Sequence, residues 1–381
     1  RRYVNEAIGG SSVIWFEAIS IAEEGRSSKT QLLLTRDTLD EFKKMTSAVK
    51  EAGLKANGYA PYLIMQANHS GRYSNPDNKP APMIDYRHPI LEQYRAADDS
   101  CIVTDDYLKS LEEKFGEASA LAKEAGFDAI DIKSCHGYLL AELSSAYNRP
   151  GEYGGCFENR FRLLKNGIRA AKVHEDESFM VTARVGIYDG YAYPWGFGVS
   201  PESGETPDLT EPVRLVRELH DELGLDMVNL TMGNPYATTH VTRPFDFGKY
   251  EPDEHPFVGL SRMIHGIGEV KKAVPAMTVW ASAPSYLRAY ADLFTAGAVE
   301  QGLCDGMLFG RMAFADPDFA NEIVKKGRID PNRVCLTCGK CGDLIRAHKP
   351  TGCVIRDNKT FMPFYKEFLE IKKTQPANFR G

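Results

Sequence analysis

An α/β fold, a (β/α)8 barrel with its first strand upstream of residue 1 and a cysteine-bearing C-terminal extension, is predicted by three features of the sequence. Seven apolar runs of strand length recur along the chain. Amphipathic helical segments separate them, and the residues at the C-terminal end of most runs turn polar and aromatic.

The runs are Ser12–Ile21, Pro61–Gln66, Phe127–Lys133, Phe179–Val185, Leu225–Thr231, Met277–Ala281 and Gly306–Phe309. They are rich in Val, Ile and Leu and mostly continuous rather than alternating, as strands covered on both faces should be. Thr104–Gly126 is the clearest helix. Thr104 can cap it, Asp105 and Asp106 suit its N-terminus, and Tyr107, Leu108, Leu111, Phe115, Ala118 and Ala122 make one stripe, with Gly126 as the stop. Asp37–Gly53 and Thr210–Gly224 follow the same plan. Gly266-Ile-Gly268 is only a fragment of a dinucleotide fingerprint and sits inside a helical pattern, which argues against an open dinucleotide-binding sheet. The strand ends read QANHSGR, KSCHGYLL, ARVG, NLTMGNP, WASAP and FGRMAFADP, where a barrel holds its chemistry.

The formal charge is -6 and 43% of residues are hydrophobic. No basic surplus suggests nucleic acid, and no apolar run approaches the ~20 residues of a membrane span. The chain begins at Arg1 within a helical pattern, so a preceding segment is expected.

Four of eight cysteines, Cys335, Cys338, Cys341 and Cys353, lie close together with spacing C-x2-C-x2-C-x11-C. Disulfides suit small domains short of core, which this chain is not. Zinc accepts four thiolates but usually takes two separated C-x2-C hooks. One tight loop offering three cysteines plus a distant fourth suits an iron–sulfur cube, so the spacing favours iron–sulfur over zinc. Such thiols also point to a reducing cytoplasm.

Four longer stretches make the reading specific. QANHSGR (Gln66–Arg72), HGYLLAELSSAYNRPGEYGGCFENRFRLL (His136–Leu164), GRMAFADP (Gly310–Pro317) and FEAISIAEEGR (Phe16–Arg26) resemble, in order, motifs of the Old Yellow Enzyme family of FMN-dependent oxidoreductases. The cysteine segment after the barrel resembles that family's iron–sulfur branch, typified by 2,4-dienoyl-CoA reductase and trimethylamine dehydrogenase. The resemblance implies an FMN-binding barrel over residues 1–328 and a [4Fe–4S]-binding segment with a tail over 329–381.

For the flavin, the resemblance places Gln66 at the pyrimidine edge, Arg184 near N1 and Ala18 beside the ring. The phosphate falls to backbone N–H groups near Ser282, Ala283, Gly310 and Arg311. Arg184 also stands out unaided, since a guanidinium inside an apolar strand must be paired or functional. ASAPS (Ala281–Ser285) departs from the family, which often has glycines there. Tyr138 matches the family's proton donor, and His136 and Lys133 match the pair that holds the substrate carbonyl, with Lys133 replacing the usual His or Asn. A lysine there suits a carboxylate or acyl thioester. His69 is expected to pack near the flavin rather than catalyse. Tyr188, Tyr191, Tyr193 and Trp195, in an aromatic loop after the run Phe179–Val185, either cover the flavin and a flat substrate or pack on themselves; His240 and Arg243 could line the same mouth.

The reading is an ene-reductase that takes electrons from NAD(P)H or a redox partner and reduces an activated C=C bond. Its alternatives are an amine dehydrogenase passing electrons through the cluster and, outside enzymes, a zinc-bearing binding protein. Expected partners are the small alkene, an electron-transfer domain or protein, and a second copy of the chain.

Overall fold

The computed structural model describes residues 1–246 and 250–374. Seven strands form one parallel sheet in chain order: β1 (Val13–Ser20), β2 (Tyr62–Asn68), β3 (Ala129–Ser134), β4 (Met180–Gly186), β5 (Met227–Thr231), β6 (Thr278–Ala281) and β7 (Gly306–Met307). The main helices are α1 (Arg2–Ile8), α2 (Leu39–Asn57), α3 (Asp105–Glu124), α4 (Leu139–Leu143), α5 (Arg162–Lys172), α6 (Thr210–Asp221), α7 (Pro256–Ala273), α8 (Ala291–Glu300), α9 (Gly310–Ala315), α10 (Phe319–Lys326), α11 (Lys340–Arg346) and α12 (Asn358–Thr374). Each predicted run holds one strand, and β3 is buried at every residue. The expected eighth strand has no counterpart among the described residues.

Parallel neighbours in register set side chains level across the sheet. One row runs Lys133–Arg184–Asn229–Trp280–Gly306 across β3 to β7, and another sets Ala18, Gln66 and Asp131 side by side on β1 to β3. These rows carry polar groups through an otherwise apolar sheet.

The Thr104 hydroxyl accepts from Tyr107 N at 3.1 Å, and Leu108, Leu111, Phe115, Ala118 and Ala122 of α3 are buried as the stripe predicts. Gly126 stops the chain with φ +84°. The expectation for α2 needs correction, since the helix runs through Gly53 to Asn57 and turns at Gly58, φ +81°. Gly53 serves packing instead, as a Cβ there would press on Pro61 Cδ at 2.6 Å. Gly266 and Gly268 lie inside α7 as expected. Among the described residues no helix is long and apolar enough to cross a membrane.

Among the described residues no ladder pairs β7 with β1, and hydrogen bonds tie the segments that flank them. Asn321 N–H donates to Gly9 O and its side-chain amide to Ile8 O, each at 3.0 Å. Gly9 allows this, because a Cβ there would run into the Pro317 carbonyl. The cysteine segment is tied back by Arg1–Asp357 at 2.7 Å, by Arg2 Nη2 donating to Thr351 O at 2.9 Å, and by Asn75 Nδ2 meeting His348 Nε2 at 3.3 Å.

Gly9→Ala should therefore destabilise the protein by about 1–3 kcal/mol, the usual cost of overpacking. Denaturant unfolding checks it, and an unchanged midpoint would contradict this contact.

Candidate active site

The site begins inside the sheet. Asp131 is fully buried, and its Oδ2 accepts from Gln66 Nε2 at 2.6 Å and from Trp15 Nε1 at 2.7 Å. The indole can only donate, so Oδ2 is an acceptor and the Gln66 amide must face it with nitrogen. Burial pushes the Asp131 carboxyl above its usual range, while Gln66, Trp15, Arg184 and Lys133 pull it back.

One level up, Lys133 and Arg184 stand side by side across β3 and β4. Lys133 makes no hydrogen bond or ion pair among the described residues; its ammonium rests 3.8 Å from the centre of the Tyr138 ring. Burial lowers its pKa to about 7, with the Arg184 charge pushing the same way. Arg184 Nη2 reaches Ser282 Oγ at 3.4 Å, but its Nε is buried with no partner, as is Asn229 Oδ1.

The chain leaves β3 through two left-handed residues, His136 and Gly137, each with φ +68°. A Cβ at Gly137 would collide with Asn234 Nδ2, so glycine lets the loop after β5 close over this turn. His136 Nε2 meets Thr231 Oγ1 at 3.3 Å. Burial, with Arg184 and Lys133 adding to it, holds the imidazole neutral well below its normal pKa. Tyr138 caps α4, and its hydroxyl lies 3.0 Å from that of Tyr236. Burial raises its pKa well above 10, so it keeps its proton.

The remaining predicted residues divide. His69 packs as expected: Gly71 N donates to Nδ1 at 3.1 Å, so Nε2 carries the hydrogen and donates to Tyr107 at 2.8 Å. Tyr107 passes a hydrogen bond to Glu24 at 2.9 Å, and burial lowers His69 to about 4. Tyr188 and Tyr191 are buried in side-chain packing; Trp195 stacks near Tyr86, and Tyr193 is exposed against Tyr147. Trp195 O bonds His88 Nε2 at 2.9 Å, so the loop lies on the segment around His88. His240 is taken up by the Tyr250 hydroxyl at 2.8 Å. Arg243 lies with its guanidinium 5.5 Å from the centre of the Phe245 ring. Burial lowers its pKa, Arg311 and Arg346 push the same way, and Cys341 and Cys335 oppose them.

Cys335, Cys338, Cys341 and Cys353 line one cavity together with Arg311 and Phe314. Thr337 N donates to Cys335 Sγ at 3.4 Å and Arg356 N to Cys353 Sγ at 3.3 Å. All four are free thiols, and among the described residues no three His, Cys, Asp or Glu groups converge as a single-ion site.

Residues 2–197 match the model of the NADH:flavin oxidoreductase / NADH oxidase family. The chain belongs to this family. It is 34% identical to NADPH dehydrogenase of Bacillus velezensis over 176 residues, 45% of this chain and 48% of that protein. It is 24% identical to NADH oxidase of Thermoanaerobacter brockii over 342 residues, 88% of this chain and 46% of that one. The chain thus spans about half the length of these curated relatives. Among solved structures, 2-naphthoyl-CoA reductase with 2-naphthoyl-CoA is similar with TM-score 0.73 at 19% identity, covering 96% of this chain and 52% of that one. Histamine dehydrogenase from Rhizobium sp. 4-9 gives 0.69 at 20% identity, covering 93% and 46%. These likenesses support the barrel fold.

The family's flavin fits the residues present. Arg184 Nε is a buried donor without an acceptor, Ala283 turns with φ +70° beside Ser282, and a Cβ on Gly310 would meet nothing within 4 Å. Asp131, Tyr73, Asn234 and Tyr236 were not foreseen. Asp131 had a signal, a carboxylate two residues before Lys133 and so on the same strand face. The tyrosines come from separate loops and had none.

Lys133 gives a pH test. Its ammonium loses its proton at about pH 7 when folded, against about 10.5 for an ordinary lysine, so between those pH values the unfolded chain binds more protons and stability should rise with pH. Lys133→Met should flatten that rise in apoprotein unfolding measured from pH 7 to 10. An identical slope in both proteins would contradict the buried, unpaired ammonium.

Proposed function

We propose that this chain is an FMN- and [4Fe–4S]-dependent oxidoreductase that reduces an activated C=C bond in an enone, enoate or enoyl thioester. The observation that carries it is Tyr138, a protonated phenol held beside Lys133 on the turn that also carries His136. Bound FMN supplies the hydride. Arg184 would supply a fixed positive charge to the reduced flavin, and Gln66, held by Asp131, would hold its pyrimidine edge. Ser282, Ala283, Gly310 and Arg311 would hold the phosphate.

His136 and Lys133 bind the substrate's carbonyl oxygen. A neutral imidazole polarises without repelling Arg184, and the Lys133 ammonium suits a carboxylate or the enolate oxygen that develops on an acyl thioester. Tyr138 then gives its proton to the α-carbon.

The cysteines support an iron–sulfur cube over zinc. A zinc ion would draw four sulfurs to about 2.3 Å from one point. Here three cysteines in one tight C-x2-C-x2-C loop plus a distant fourth line one cavity, a spacing that suits four separate iron corners better. Backbone donors to Cys335 and Cys353, with Arg311 alongside, would stabilise thiolate charge. Electrons arrive from NAD(P)H or through the cluster from a redox partner.

Tyr138→Phe tests the reading. It should leave flavin content and flavin reduction nearly intact, yet slow re-oxidation of the photoreduced enzyme by an enone or enoate by roughly two to four orders of magnitude. Anaerobic stopped-flow absorbance measures this. Flavin reduction by trimethylamine, with no re-oxidation by any alkene, would favour amine oxidation instead.

A further inference from the structure

We propose that Tyr236 is the residue through which Tyr138 regains its proton from solvent. This rests on the reading of Tyr138 as proton donor. Among the described residues, the Tyr236 hydroxyl is the one hydrogen-bond partner of the Tyr138 hydroxyl, at 3.0 Å. Among the described residues the other neighbours of Tyr138 make no hydrogen bond to its hydroxyl. Lys133 lies over the ring, and Tyr73 meets it edge-on at 6.0 Å with its own hydroxyl turned to Asn234 Nδ2 at 3.4 Å.

Tyr236 has the opposite character. It is 37% exposed while Tyr73, stacked on it at 3.6 Å and 15°, is 3% exposed. One ring face is therefore clamped against the site while the residue keeps contact with water. Its backbone is held too: Tyr236 N donates to Asn234 Oδ1 at 2.9 Å, and Asn234 N donates to Thr238 Oγ1 at 2.9 Å. The absent Cβ of Gly137 lets Asn234 approach Tyr138's turn. Side chains from the loops after β2, β3 and β5 thus converge to set one O–H against another.

The step balances as proton transfer alone. The Tyr138 O–H bond breaks as a C–H bond forms at the α-carbon, the hydride and its electron pair having come from the reduced flavin. The Tyr138 phenolate, stabilised by the ammonium over its ring, takes the proton of Tyr236. Tyr236 recovers one from water or a buffer acid. Each turnover therefore moves one solvent proton to carbon.

A relay differs from a packing role in when it is needed. Tyr138 starts protonated, so the first turnover does not require Tyr236, whereas later ones do. The test uses the whole chain with its flavin, reduced methyl viologen as electron source and 2-cyclohexenone as probe. For Tyr236→Phe, single-turnover re-oxidation should stay within about threefold of wild type while steady-state turnover falls about tenfold, a modest share of what a positioned proton carrier is worth. Imidazolium buffer should restore the steady-state rate, and Tyr236→His, which can carry a proton, should need no such rescue.

An unchanged steady-state rate in Tyr236→Phe would overturn the relay. So would equal losses in the first and later turnovers that buffer does not restore, since that marks packing. Tyr138→Phe run alongside separates the two claims: normal re-oxidation there removes the donor itself, whereas slow re-oxidation with a normal Tyr236→Phe removes only the relay.

Discussion

Two cations, Lys133 and Arg184, lie side by side within the sheet, and the nearby buried carboxylate, Asp131, must serve both. Burying charge is costly unless it is paired. Asp131 is already engaged by Gln66 and Trp15 through one oxygen, and Arg184 Nε is left without an acceptor. The protein alone does not satisfy this arrangement. An electron-rich ring, such as the flavin this family uses, would.

The rest of the molecule holds that imbalance in place. Register across parallel strands puts Lys133, Arg184 and Asn229 at one level, while the left-handed turn at His136 and Gly137 carries Tyr138 back over it. Covering helices such as α3 bury apolar stripes that keep the strands dry. The cysteine segment is bound to both ends of this frame, to Arg1 and Arg2 on one side and to Asn75, after β2, on the other. Arg311 follows β7, and its side chain lines the cysteine cavity.

Much of this was readable from the chain. Continuous apolar runs located all seven strands, because burial on both faces leaves little ambiguity. Polar strand ends marked the candidate site, and the extended motif around His136 led to Tyr138, the proposed donor. Less was readable where contacts join distant segments. Gly53 looked like a helix stop and is a packing contact with Pro61, since sequence does not reveal what approaches a glycine. The aromatic loop kept two readings open, and its packing against His88 depends on a segment about a hundred residues earlier. Tyr73 and Tyr236 meet only in three dimensions.

The account stands on one chain holding a flavin beside an iron–sulfur cube. Anaerobic purification followed by flavin, iron, acid-labile sulfide and zinc analysis tests it most directly. The account predicts FMN and a single [4Fe–4S] cluster per chain, with iron lost on replacing Cys335, Cys338, Cys341 or Cys353 by Ser and retained in Cys101→Ser or Cys304→Ser. Zinc at the cysteines, or a colourless protein that does not take up FMN, would contradict it.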